Sequence, residues 1–154
     1  MDTLIAALDR QFRRVHNDAV ELVEAISIDE FFQRPLSTNS TSAQSCGEQL
    51  LRSAGTVEQT FGGITANLWD DPFEWTLPET LATRERILKY LSEVEATRKR
   101  GFDLLKSDAD LMKKIMSPSG ETQLMPLLLE TLVRAAQYLG RAGATLDFIR
   151  SGNQ

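Results

Sequence analysis

The sequence predicts an all-α fold, one domain over residues 1–154 in which four long helices pack around a shared core. Three observations carry this. Four stretches repeat apolar residues at steps of three and four, the period of one helix face. No stretch alternates as a strand does, and no internal repeat or low-complexity tract occurs. The chain has 154 residues, 42% hydrophobic and 25% charged, which suits a globular domain with one substantial core. An amphipathic helix cannot bury its stripe alone, so four of them imply a bundle.

The first helix carries Leu4, Leu8, Phe12, Val15, Ala19, Leu22 and Ile26, with Arg10, Arg13, Arg14, Asp18, Glu21 and Glu24 on other faces. "SIDEFFQRPL" (27–36) begins a short capped turn, with Ser27 as N-cap and Glu30 three residues on, and Pro35 ends it. "STNSTSAQS" (37–45) is a polar loop whose last serines offer a cap for the second helix, Leu50, Ala54, Val57, Phe61, Ile64 and Leu68. "DDPFEWTLPET" (70–80) is a second loop, and Thr83 caps a third helix with Ile87, Leu91, Val94, Phe102 and Leu105. "SPSGET" (117–122) is a turn, and residues 115–124 have room for a short extended piece. Pro126 fits the first turn of a fourth helix carrying Met125, Leu129, Leu132, Ala136, Leu139, Gly143 and Leu146. The loops after the first two helices exceed tight turns, so one or two connections cross the bundle.

Composition excludes several function classes. A formal net charge of -5, from 17 basic and 22 acidic residues, argues against nucleic acid as a partner, since that binding rests on neutralising phosphates. No 18-residue apolar run offers a membrane span, and "MDTLIAALDRQFRR" meets charge too early for a signal peptide. Cys46 is the single cysteine, so neither an intrachain disulfide nor a cysteine-built zinc site is available; this suits a cytoplasmic protein. Cys46 itself reads either as a buried structural residue or as a thiol activated by a helix N-terminus.

Catalytic constellations are sparse. His16, the only histidine, reads as a surface or boundary residue, and no G-x-S-x-G elbow accompanies it. Glu48, Glu58, Glu93, Glu95, Asp103, Glu121 and Glu130 are scattered, and no E-x-x-H motif supports a dimetal bundle. "RKR" (98–100) reads as a solvated face, or otherwise a small anion patch. Trp69, Phe73 and Trp75 read as seals on a bundle end rather than ligand contacts.

"SCGEQLLRSAGTVEQTF" (45–61) resembles the second-helix signature of the DinB-like (YfiT-like) superfamily, roughly S-I-G-x-L-L-x-H-L-A-G-x-V, at Ser45, Gly47, Leu50, Leu51, Ala54, Gly55 and Val57. "DEFFQRPLSTNS" (29–40) looks like the acidic turn, Arg-Pro and Asn-Ser that precede it. "QYLGRAGA" (137–144) stands where the family's fourth helix reads H-x-x-x-H-x-G-Q. The resemblance covers nearly the whole chain. It implies an up-down-down-up bundle with a long crossing connection, and a homodimer. It also implies a metal site built by one histidine of the second helix and two of the fourth, serving thiol S-transfer. Those three positions here hold Arg52, Gln137 and Arg141. A guanidinium offers only donors and a fixed positive charge, so the donor set does not fit a divalent metal.

Two readings of Arg52, Gln137 and Arg141 follow. In one, Glu48, Glu58 or Glu130 pairs with the arginines in a salt-bridge network. In the other, the three form a site for a carboxylate, a phosphate or another small anion. The leading function is accordingly a metal-free, cofactor-free binding or stress-associated protein without the family's transferase activity. The alternatives are a thiol-dependent S-transferase-like enzyme that uses arginines in place of the metal, and a structural dimerisation module.

Overall fold

The computed structural model describes residues 3–35, 43–71 and 81–152. It is mostly helical, as the apolar periodicity requires. The elements are α1 (Thr3–Ala25), α2 (Ile28–Phe32), α3 (Cys46–Ala66), α4 (Arg84–Asp103), a 3-10 turn (Asp108–Met112), β1 (Lys114–Ser117), β2 (Gly120–Gln123) and α5 (Leu124–Gly152). β1 and β2 pair antiparallel, Ser117 opposite Gly120, whose φ of 113° closes the turn in a region that favours glycine. No helix of the described residues is long and apolar enough to cross a membrane.

The helix starts follow local chemistry. Ser27 and Ser45 each form a reciprocal capping box, with Glu30 and Glu48, and the Thr83 hydroxyl accepts from the Arg86 amide. α1 is capped from far along the chain instead: the Asp108 carboxylate accepts from the amides of Leu4 (3.3 Å) and Ile5 (3.1 Å). Asp108→Ala orphans both donors, and a loss of about 0.5–2 kcal/mol in urea unfolding is expected, with the slope unchanged. α3 ends at Asn67, whose φ of 55° is the left-handed cap, so Leu68 lies beyond the helix and is exposed.

One core cluster draws on α1, α3, α4 and α5. α5 packs most extensively on α3, and runs antiparallel to it: Gln49 meets Thr145 (2.8 Å) and Thr60 meets Thr131 (2.7 Å). α1 and α4 are antiparallel, joined by Asp9 to Arg98 (2.5 Å) near one end and the Ile26 carbonyl to Arg84 (2.5 Å) near the other. α3 and α4 run parallel, with Tyr90 against Glu58 and Phe102 against Phe61. α1 and α5 also run parallel, and Arg150 donates to the Ala25 carbonyl where both end. Phe12, Phe61 and Phe102 meet at ring-centroid distances of 5.2–5.8 Å and tie α1, α3 and α4 together. Gly47 permits the close seating of α2 on α3: a Cβ there would stand 2.6 Å from the Phe31 carbonyl oxygen.

Two expectations are corrected. The core stripe of α5 is Leu124, Leu128, Thr131, Ala135, Ala142, Leu146 and Ile149, while Leu129 and Ala136 of the expected stripe are exposed. α5 is apolar over two adjoining faces, and periodicity alone does not rank them. Secondly, "RKR" is not a solvated face throughout. Lys99 and Arg100 are exposed, but Arg98 is 1% exposed.

Candidate functional site

α3 places Arg52, and α5 places Gln137 and Arg141. Hydrogen bonds from Gln49 to Thr145 and from Ser53 to the Ala135 carbonyl (2.7 Å) bracket Arg52, so it stands at the height of the α5 turn that carries Gln137 and Arg141. Arg52 is half-buried; Gln137 and Arg141 are exposed, and the Arg141 guanidinium lies 5.7 Å from the centre of the Tyr138 ring.

Two of the acids named as their partners, Glu48 and Glu58, have other partners. Glu48 accepts from Arg34 (2.8 and 3.1 Å) and from the Ser45 amide. Glu58 accepts from the Tyr90 hydroxyl at 2.6 Å. Burial raises the Glu58 carboxyl above its ordinary range, Glu93 adds to the rise, and the Tyr90 hydrogen bond offsets part of it. Glu130 is exposed on α5. Among the described residues no three or more His, Cys, Asp or Glu side chains are grouped so as to hold a metal ion.

The strongest electrostatic feature lies elsewhere, between α1 and α4. Arg98 donates to Asp9 (2.5 Å) and, through two nitrogens, to Glu95 (2.7 and 2.9 Å). Asp9 also pairs with Arg13. Burial raises the Asp9 carboxyl, but Arg98 and Arg13 outweigh it and hold the group below its usual range. His16 stands 4.0 Å from Glu95. Beside the group lies a cavity of about 20 Å³, room for one water, lined in part by His16, Ser53, Glu95 and Arg98. Sequence reasoning missed this cluster, although a signal existed: Arg98 follows Val94 and precedes Phe102 by four residues each, squarely on the α4 core stripe.

His16 is a boundary residue, as expected, with burial holding its pKa below 6.5; Arg98 and Lys99 also lower it, and Glu95 opposes them. The unfolded chain therefore binds this proton more readily. The stability associated with neutral His16 is present above pH 6.5 and is lost as pH falls through the lower folded value. Unfolding at stepped pH should show this loss setting in as pH falls below 6.5, and His16→Gln should flatten it.

Cys46 is fully buried, and burial pushes its thiol up to about 11, which favours the structural reading over the reactive one. The Trp69 ring packs over Gly63, consistent with a sealing role. Trp75 and Phe73 lie outside the described residues. No family model, curated protein or solved structure matches the chain.

Proposed function

We propose that the chain is a DinB-like four-helix bundle, up-down-down-up, whose metal position has become an anion site formed by Arg52, Gln137 and Arg141. The helix directions support the fold: taking α1 as up, the antiparallel and parallel contacts make α3 and α4 down and α5 up. The observation that supports the function is the shared height of the three residues along the α3–α5 seam, as the Gln49–Thr145 and Ser53–Ala135 hydrogen bonds set it. Two guanidiniums offer donors alone and the amide adds N–H donors, which suits a carboxylate or phosphate, while the two positive charges repel a dication. The chain accordingly lacks the metal-dependent transferase chemistry and binds a small anionic ligand.

Calorimetric titration of inorganic phosphate into untagged protein tests this. Saturable one-site binding is expected, weakened at least about tenfold by Arg52→Ala and by Arg141→Ala. Binding that is absent, or indifferent to both substitutions, rejects the site.

A further inference from the structure

A polar row flanks the α3–α5 seam. On α5 it runs Thr145, Arg141, Tyr138 and Arg134, spaced 4-3-4, the period of one helix face. Thr145 fixes where the row lies, because its hydroxyl accepts from Gln49 of α3 at 2.8 Å. Along α3, Arg52, Thr56 and Gln59 repeat the same 4-3 spacing and are half-buried. Neither row contains an acid, in a chain whose net charge is -5. The neighbouring acids of α3 meet Arg34 and Tyr90 instead.

Arg134 adds a third guanidinium to the two already placed. It is exposed, and the Ser53–Ala135 and Thr60–Thr131 hydrogen bonds bracket its level. Seven residues separate it from Arg141, about 10 Å along the axis. Arg52 stands across the seam at a level between them, since Gln49 meets Thr145 beyond the one and Ser53 meets Ala135 beside the other. Among the described residues neither Arg134 nor Arg141 enters an ion pair. Glu130, one turn before Arg134, is exposed and closes the row at that end. Half-buried Tyr138 lies between the two arginines, with the Arg141 guanidinium 5.7 Å from its ring centre. Two long arginine stems bridge a separation of about 10 Å, so both forks have access to one ligand lying over Tyr138.

We infer that the site extends along α5 through Arg134, and that its ligand is a chain of two or more linked phosphates rather than one isolated anion. The inference rests on the anion site of Arg52, Gln137 and Arg141 and names the ligand class for it. A single phosphate carries at most about two negative charges at neutral pH, which matches two arginines. The third arginine, farther along the row, gives a second phosphoryl group its own counter-charge. A linear oligophosphate distributes charge and acceptor oxygens along its length, as the arginines are distributed along the helix.

Calorimetric titration of untagged wild-type and Arg134→Ala protein with phosphate, pyrophosphate and citrate, in metal-free buffer at constant ionic strength, tests this. Pyrophosphate is expected to bind at least about tenfold more tightly than phosphate. Arg134→Ala should remove that advantage while changing the phosphate Kd less than about twofold, and Arg134→Lys, which keeps the charge without the fork, should restore part of it. ADP separates the two sources of such a chain: affinity equal to or above that of pyrophosphate assigns a phosphate ester, and lower affinity assigns the free inorganic chain. The inference is overturned if pyrophosphate binds no more tightly than phosphate, if its advantage survives Arg134→Ala, or if citrate binds as tightly. In those cases phosphate binding that still weakens in Arg52→Ala and Arg141→Ala leaves the anion site standing, whereas binding of neither phosphate nor pyrophosphate rejects both.

Discussion

Arg98→Ala is expected to lower the unfolding free energy by about 3–5 kcal/mol, with a fall in Tm on the order of 10 °C. The guanidinium is 1% exposed and satisfies two carboxylates, Asp9 on α1 and Glu95 on its own helix. Truncation leaves both acids in a site from which water is largely excluded, with only Arg13 left on Asp9. The size of the effect reflects those stranded charges rather than the intrinsic worth of the ion pairs. Replacing all three members together with apolar residues of similar volume, Asp9→Leu, Glu95→Met and Arg98→Met, should therefore cost far less than Arg98→Ala alone. Denaturant midpoints for the single and triple variants separate the two outcomes. If the triple variant falls as far as the single one, the cluster stabilises through its specific geometry and not through mutual neutralisation.

Phe61→Ala should cost a similar amount, about 3–5 kcal/mol, by a different mechanism. Phe61 is 1% exposed and its ring contacts Phe12 at 5.2 Å and Phe102 at 5.6 Å. It also fills the space over Gly101, where a Cβ would collide with the ring. Removing it empties the point at which α1, α3 and α4 meet. Phe61→Leu retains most of the volume and should recover the larger part of the loss, as read by thermal unfolding of the same series.

The helices were legible because their signals are local. The 3–4 spacing of Leu50, Ala54, Val57 and Phe61 maps onto buried positions without correction, and Ser27, Ser45 and Thr83 cap as their residue types suggest. Local signals failed where the environment decides. "RKR" looks solvated as a charge run, yet helical geometry turns Arg98 inward while Lys99 and Arg100 face out. Asp9, among the charged residues of α1, lies in line with Ile5 and Phe12 and completes the pair from the other helix. In α5 both stripes have helical period, and only packing against α3 selects Leu128, Thr131 and Ala135 for the core. The Asp108 cap joins residues more than 100 apart, a relation no local pattern encodes.

The candidate site was legible as identities more than as surroundings. The proposed correspondence of Arg52, Gln137 and Arg141 to three histidine positions rests on residue identities alone. That Glu48 turns to Arg34 and Glu58 to Tyr90 depends on the segment after α2 and on α4, which approach α3 only in the folded protein.

The most direct test of the account is metal content by mass spectrometry of untagged protein, followed by titration with zinc and nickel. Under the proposed assignment of Arg52 and Arg141 to metal-ligand positions, substoichiometric metal and no saturable uptake are expected. One tightly held metal per chain contradicts that assignment, and it would shift attention to His16 and Glu95 and to the transferase chemistry set aside above.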